Sequence, residues 1–175
     1  LLNTDWIDLM QIHDPANLVP ALAPDGALTA LRDLKEQGVI RAIGLGVRSH
    51  EFLLQAIEHG DFDTILTYAD FNLVRQTARD TLFPAAEKHD VGVVLGSPIL
   101  FGLLSNRSEE KLERYRQREE AEKVLQLSQW VRERNVKLMS LALQYCLREP
   151  RVSVVIVGTR NVEQVEELVS SVLDP

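Results

Sequence analysis

The chain has 175 residues, with 19 lysines and arginines against 26 aspartates and glutamates, for a formal net charge of -7. Hydrophobic residues make up 45% and charged residues 26%, a globular balance that excludes a disordered or fibrous chain. The acidic pI of about 5.1 argues against nucleic acid or an anionic membrane surface as partner, since both need clustered positive charge.

No apolar run approaches the roughly 20 residues of a membrane span. The single cysteine, Cys146, excludes an internal disulfide framework and a Cys-rich metal site. No two histidines stand at metal-ligand spacing, so no metal centre is expected. No signal segment precedes Trp6, which points to a reducing cytoplasm. The chain opens Leu1-Leu2-Asn3 without an initiator methionine and runs at once into a buried-type strand, so part of a longer protein is expected.

In chain order, the first strand is expected over Ile7–Ile12, and it exits at His13-Asp14-Pro15. Ala27, Leu28, Leu31 and Leu34 then place one apolar stripe on a helix after Asp25. A second strand is expected over Ile40–Leu45. It runs into Gly44-Leu45-Gly46-Val47-Arg48-Ser49, where Ser49 is placed to cap a helix carrying Leu53, Ala56 and Ile57. A third strand over Thr64–Thr67 exits at Asp70-Phe71-Asn72, and Pro84 opens the next segment.

The fourth strand is expected over Val91–Leu95, exiting at Ser97-Pro98. Glu109–Lys123 is a dense mixed-charge run that reads as a solvated loop and helix face. Cys146 stands among Leu141, Leu143 and Leu147 in a buried-type helix, where packing is its expected role. Trp6, Tyr115, Trp130 and Tyr145 read as core or helix-surface residues. After Pro150 the fifth strand is expected over Ser153–Val157, exiting at Gly158-Thr159-Arg160. Val162, Val165, Leu168, Val169 and Val172 stripe the last helix, and Asn161 with Gln164 has the pattern of a capping box.

Strands alternating with helices at roughly 35 residues per unit imply stacked βαβ units on a parallel sheet. An open doubly wound sheet and part of a barrel both satisfy this pattern. In either, chemistry sits at the C-terminal strand ends, where nearly all the unusual polar, glycine and proline residues of this chain fall.

His13 can orient a carbonyl or exchange a proton there, or simply hydrogen-bond a neighbouring backbone carbonyl. His50, His59 and His89 read as surface residues. Gly44 to Ser49 imitates the start of a dinucleotide fingerprint, with Asp70 as its ribose-binding acid, but Ser49 stands at the third glycine position. A plain strand-to-helix turn capped by Ser49 explains the same residues. Gly158-Thr159-Arg160 precedes a helix N-terminus and offers a phosphate site, or plain capping with Arg160 on the surface.

Four segments, in order, resemble the aldo-keto reductase family. Asp8-Leu9-Met10-Gln11-Ile12-His13-Asp14-Pro15 is similar to its fourth barrel strand, which ends in the catalytic histidine. Leu34 through Gly44 is similar to the join of helix and fifth strand. Val93-Val94-Leu95-Gly96-Ser97-Pro98 with Gly102-Leu103-Leu104 resembles the seventh strand and its cofactor loop. Val155 through Glu167 resembles the eighth strand and the helix that grips the cofactor's adenosine end. The turn at Gly44 to Val47 and the stretch Gly60-Asp61-Phe62-Asp63 are most similar to the family's aldose 1-dehydrogenase and pyridoxal 4-dehydrogenase branch.

The resemblance implies an α/β fold, the (β/α)8 barrel of aldo-keto reductase type, with this chain as the C-terminal portion of a single barrel domain covering about strands 4 to 8. It implies NADP or NAD as cofactor and hydride transfer to or from a sugar or aldehyde. His13 would orient the substrate oxygen. The family's aspartate, tyrosine and lysine would lie in the first three βα units, outside this chain, so the isolated chain is expected to be inactive.

Ser97, Gly158, Thr159, Arg160, Gln164 and Glu167 are the implied cofactor residues. Departures from the family pattern are Gly46-Val47 in place of a serine-asparagine pair, Tyr68 in place of a glutamine, and Gly96 in place of a stacking aromatic. Gln164 and Leu168 stand where many members carry arginine and asparagine. The absent arginine weakens the case for a 2′-phosphate, which Arg160 can offset.

Other readings are a non-catalytic binding or regulatory module on a partial barrel, and a Rossmann-like nucleotide binder. Self-association through open barrel edges is a further expectation.

Overall fold

The computed structural model describes residues 3–105, 112 and 119–173. Five strands form one sheet in the order β1-β2-β3-β4-β5, the order of the chain. They are β1 (Ile7–His13), β2 (Ile40–Gly46), β3 (Thr64–Tyr68), β4 (Gly92–Gly96) and β5 (Val154–Ile156). Each expected strand is present within one residue of its expected ends; the apolar runs of β2 and β4 are largely buried, as parallel strands covered on both faces require. β1 pairs parallel with β2, placing Gln11 beside Gly44 and His13 beside Gly46. β2 pairs parallel with β3, placing Gly44 beside Thr64 and Gly46 beside Leu66.

The chain divides into two compact units. The first holds Leu1–Thr67 with Ala78–Val94, and the second Tyr68–Thr77 with Leu95–Pro175. In the first unit, α1 (Leu18–Leu22), α2 (Ala27–Glu36), α3 (His50–His59) and α5 (Leu82–Lys88) accompany the strands, with the short α4 (Thr77–Asp80) at its border. Leu45, Leu53, Ile57, Ile65, Leu82 and Phe83 are fully buried and form its core. Ser49 caps α3 as expected, accepting the Phe52 N–H at 3.3 Å. α3 ends at Gly60, whose φ of 88° needs a residue without a side chain.

Asp63 ties this unit together just ahead of β3. Its carboxylate receives Lys35 Nζ of α2 at 2.7 and 2.6 Å and the Ile43 N–H of β2 at 2.7 Å. Its backbone exchanges bonds with Ile43 and Gly92, each at 2.8 Å.

The second unit packs α6 (Glu119–Glu133), α7 (Leu138–Leu147) and α8 (Val162–Leu173) with the loop after β4. Its core joins Leu100, Leu103 and Leu104 of that loop to Val124 of α6 and Ala142 of α7. Much of the mixed-charge run Glu109–Lys123, Tyr115 included, lies outside the described residues. Within it Leu112 and Ala121 are buried in this core, so the run is not solvated throughout. Cys146 is fully buried, its Sγ 3.6 Å from the Phe71 carbonyl oxygen, and Tyr145 stacks on Phe71. Burial pushes the Cys146 thiol up to about 12, which fits the packing role.

The last helix has the expected period but not the expected environment. Ser171 is buried, while Val162, Val165, Val169 and Val172 are exposed, as are Val154 and Ile156 of β5. Periodicity identifies a stripe. The chain's own contacts decide what covers it, and among the described residues this stripe stays open.

Candidate functional site

The strand exits share a backbone device. Asp14 after β1, Ala69 after β3 and Ser97 after β4 have φ of 44°, 58° and 56°, the left-handed region that side chains disfavour. The Asp14 N–H bonds the Gly46 carbonyl at 2.8 Å, and the Ala69 N–H bonds the Gly96 carbonyl at 2.9 Å. Each thus makes one more bond to the end of the neighbouring strand before the chain turns away. Local strain of this kind, at non-glycine residues, collects at functional ends of folds.

His13 closes β1 in the first unit. Its side chain is 75% exposed, and its Nε2 lies 3.8 Å from Asp14 Oδ2. It therefore stands open at a C-terminal strand end, as its sequence position implied. On the same face, two residues back, Gln11 lies in register with Gly44, and Gly44 with Thr64. A Cβ on Gly44 would stand 2.5 Å from Thr64 Oγ1 and 2.9 Å from Gln11 Cγ. Gly44 and Gly46 are thus strand residues, and at Gly44 the missing side chain makes room for Thr64 and Gln11. They do not form a phosphate-binding turn, so the dinucleotide-fingerprint reading fails here. The turn is Val47-Arg48-Ser49, and it serves helix capping.

The polar layer of Gln11 and Thr64 was missed from sequence. Its one signal there is a glutamine inside an apolar strand. Asp70, the other half of the fingerprint reading, is buried. His50 is half-buried against Thr81 at 3.2 Å, and exposed His59 pairs with Asp61 at 3.0 Å. No group of three or more His, Cys, Asp and Glu among the described residues is placed to hold a metal ion.

The six cofactor candidates all belong to the second unit. Ser97 Oγ accepts the Phe101 N–H at 3.1 Å, and its carbonyl accepts the Leu100 N–H at 3.0 Å. This folds the β4 exit into a tight loop in which Leu100 and Phe101 are also left-handed. Gly158, Thr159 and Arg160 are exposed ahead of α8, and a Cβ on Gly158 would meet nothing within 4 Å.

Asn161 accepts the Gln164 N–H at 2.9 Å, as a capping box requires. The return bond differs from the expected one. Gln164 Oε1 accepts the N–H of Arg160 at 2.8 Å, one residue earlier than the cap itself. This holds the Thr159-Arg160 loop onto the helix start. Gln164 and Glu167 are half-buried one turn apart on α8. An open glycine, a hydroxyl, a guanidinium and a helix N-terminus form a donor set that fits a phosphate-bearing ligand, with Glu167 as the acceptor nearby in sequence.

Comparison with known proteins places the fold in a family. Residues 1–174 match the model of the Aldo/keto reductase family. The chain is 30% identical over 161 residues to D-threo-aldose 1-dehydrogenase of a Pseudomonas species, covering 90% of this chain and 49% of that protein. It is 28% identical over 176 residues to L-galactose dehydrogenase of Arabidopsis thaliana, covering 99% and 54%. Pyridoxal 4-dehydrogenase of Microbacterium luteolum is 27% identical over 173 residues, covering 92% and 51%.

Among solved structures, the holo form of an aldo-keto reductase from Bacillus halodurans superposes with a TM-score of 0.71 at 27% identity, covering 97% of this chain and 56% of that one. The chain spans about half the length of the curated relatives it matches. Strands β1 to β5 thus correspond to about strands 4 to 8 of a (β/α)8 barrel of aldo-keto reductase type. By family match, fold and strand order, this chain belongs to the aldo/keto reductase family.

Proposed function

We propose that this chain is the C-terminal portion of a single barrel domain of an NAD(P)-dependent oxidoreductase. The reaction is hydride transfer between a nicotinamide cofactor and a sugar or aldehyde, in the manner of an aldose 1-dehydrogenase. The observation that carries this reading is His13, an exposed imidazole at the end of a parallel strand, in the position where family members carry their substrate-orienting histidine. The names of the relatives, an aldose and a galactose dehydrogenase, support a sugar as substrate.

When bound, the cofactor supplies or accepts the hydride. Arg160, Thr159 and the open backbone at Gly158 would hold its phosphates, with Ser97 at the β4 loop and Gln164 and Glu167 toward its adenosine end. His13 donates a hydrogen bond to the substrate oxygen and holds it in place as charge changes on it. The tyrosine, lysine and aspartate of the family's proton-transfer set match no position here, so the chain alone orients and binds without turning over. The exposed apolar residues of β5 and α8 support self-association through the edges of the sheet, which sedimentation at rising concentration tests, a strict monomer arguing against it.

Purified chain mixed with aldoses and NADP or NAD is expected to leave the nicotinamide absorbance unchanged. Sustained reduction of the cofactor would overturn the proposed inactivity. Binding is the positive test. Arg160→Ala is expected to weaken NADP binding about tenfold, the effect of one charge-assisted hydrogen bond. Unchanged affinity would remove Arg160 from the phosphate site.

A further inference from the structure

Two strand ends are built alike. After β1, the Asp14 N–H bonds the Gly46 carbonyl oxygen at 2.8 Å, and His13 stands in register with Gly46. After β3, the Ala69 N–H bonds the Gly96 carbonyl oxygen at 2.9 Å, which sets Tyr68 level with Gly96 in the same way. Asp14 and Ala69 are both left-handed, at φ of 44° and 58°. Each strand therefore ends in a ring-bearing residue, beside a glycine and ahead of a strained turn. The first end presents the exposed His13 imidazole. The second, at Tyr68, belongs to the unit that carries all six cofactor candidates.

Along β3 the burial alternates. Ile65 and Thr67 are fully buried, and Tyr68 lies on the other face, half-buried. The neighbouring strand β4, Gly-Val-Val-Leu-Gly, carries no aromatic residue. The partner ring comes from the loop beyond it. Phe101 meets Tyr68 at a centroid distance of 5.6 Å and an interplanar angle of 68°, the edge-to-face arrangement that aromatic pairs prefer. Both rings back onto the core of the second unit. The Phe101 backbone is left-handed at φ 57°, a conformation that a bulky residue adopts only where its surroundings hold it. One such hold is the Phe101 N–H, which donates to Ser97 Oγ at 3.1 Å. The ring that braces Tyr68 is thus tied to a cofactor candidate, whose hydroxyl keeps its own proton to donate.

Two departures from the family pattern meet at this point. Tyr68 stands in place of a glutamine and Gly96 in place of a stacking aromatic, and the structure sets the two side by side. We infer that the aromatic surface has moved one strand over: Tyr68 is the residue that stacks on the nicotinamide ring, and Phe101 is the positioning residue that sets the angle of its ring. The electron-rich face of a phenol matches the flat, positively charged pyridinium of the oxidised cofactor. The inference rests on the cofactor reading proposed above, and the two are separated by comparing NAD with ADP-ribose, which is the same molecule without its nicotinamide.

The test measures the affinity of both ligands for the purified chain and its variants by calorimetry. Tyr68→Leu is expected to weaken NAD about three- to tenfold, the effect of one ring contact, and to leave ADP-ribose unchanged. Tyr68→Phe keeps the ring and is expected to keep the wild-type NAD affinity. Tyr68→Trp is expected to show a long-wavelength charge-transfer absorption with NAD and none with ADP-ribose, a signal that stacking on the pyridinium produces and core packing does not. Adding Phe101→Leu to Tyr68→Trp is expected to weaken that absorption. Equal losses of NAD and ADP-ribose in Tyr68→Leu would make Tyr68 a packing residue and overturn the inference. Unchanged NAD affinity in Tyr68→Leu, or no charge-transfer band in a Tyr68→Trp chain that binds NAD, overturns it too. In each of these cases, binding of ADP-ribose to the unmutated chain leaves the cofactor reading standing. A chain that binds neither ligand contradicts the cofactor reading, and this inference with it.

Discussion

Gly44 and Cys146 are both small residues in tight places, and each makes a measurable claim. A methyl group on Gly44 would stand 2.5 Å from Thr64 Oγ1 and 2.9 Å from Gln11 Cγ, in the middle of a paired strand. Gly44→Ala is therefore expected to destabilise the chain by about 1–3 kcal/mol, the usual cost of overpacking, measured by urea unfolding. An unchanged midpoint would mean that Gln11 and Thr64 move aside freely. Cys146 is buried with its thiol pushed up to about 12 from an ordinary 9.0. Its raised value means the folded state holds the proton more tightly than the unfolded state does. The contribution to stability is full below pH 9 and is lost as pH rises from about 9 toward 12. At neutral pH the thiol should react with a thiol reagent only through unfolding, so its labelling rate should follow denaturant concentration. Fast labelling of the native chain would contradict this.

His13 was legible as a candidate because it ends an apolar strand, whereas the Gln11, Gly44 and Thr64 layer was not. That layer depends on the register of three strands separated by dozens of residues, which no local pattern encodes.

At the scale of elements, local chemistry determined more than periodicity did. The Ser49 cap and the Asn161 cap are hydrogen bonds within four residues, and both formed as their sequences required. Asn161→Ala should cost about 1 kcal/mol in thermal or denaturant unfolding. It should also loosen the Arg160 loop, because Gln164 is held by the same start of helix. A melt identical to wild type would show that the Gln164 bond to Arg160 secures α8 alone. The detail that escaped the sequence was the target of that return bond, Arg160 instead of Asn161. The stripe of α8 is the opposite case. Val162, Val165, Val169 and Val172 were readable as one face, but a face does not name its neighbour. The structure leaves it exposed and turns Ser171 inward.

At the scale of the whole molecule, five strands alternating with helices and their parallel direction were legible, since βαβ units repeat one simple pattern, whereas the register of the pairs was not. The choice between an open sheet and a barrel was not. It came from residue-level resemblance, and the family match and the superposed aldo-keto reductase agree with it. The same resemblance implies cofactor residues at the β4 exit and the start of α8, while Gly44 of β2 turned out to be a packing residue.

The central claim is that this chain holds the adenosine end of a nicotinamide cofactor at those two places. Titrating the isotope-labelled chain with NADP and with NAD, and mapping the shifted backbone signals, tests it most directly. The account predicts saturable shifts concentrated at Ser97, Gly158, Thr159, Arg160, Gln164 and Glu167. Shifts centred instead on Val47-Arg48-Ser49, or none at saturating cofactor, would contradict it.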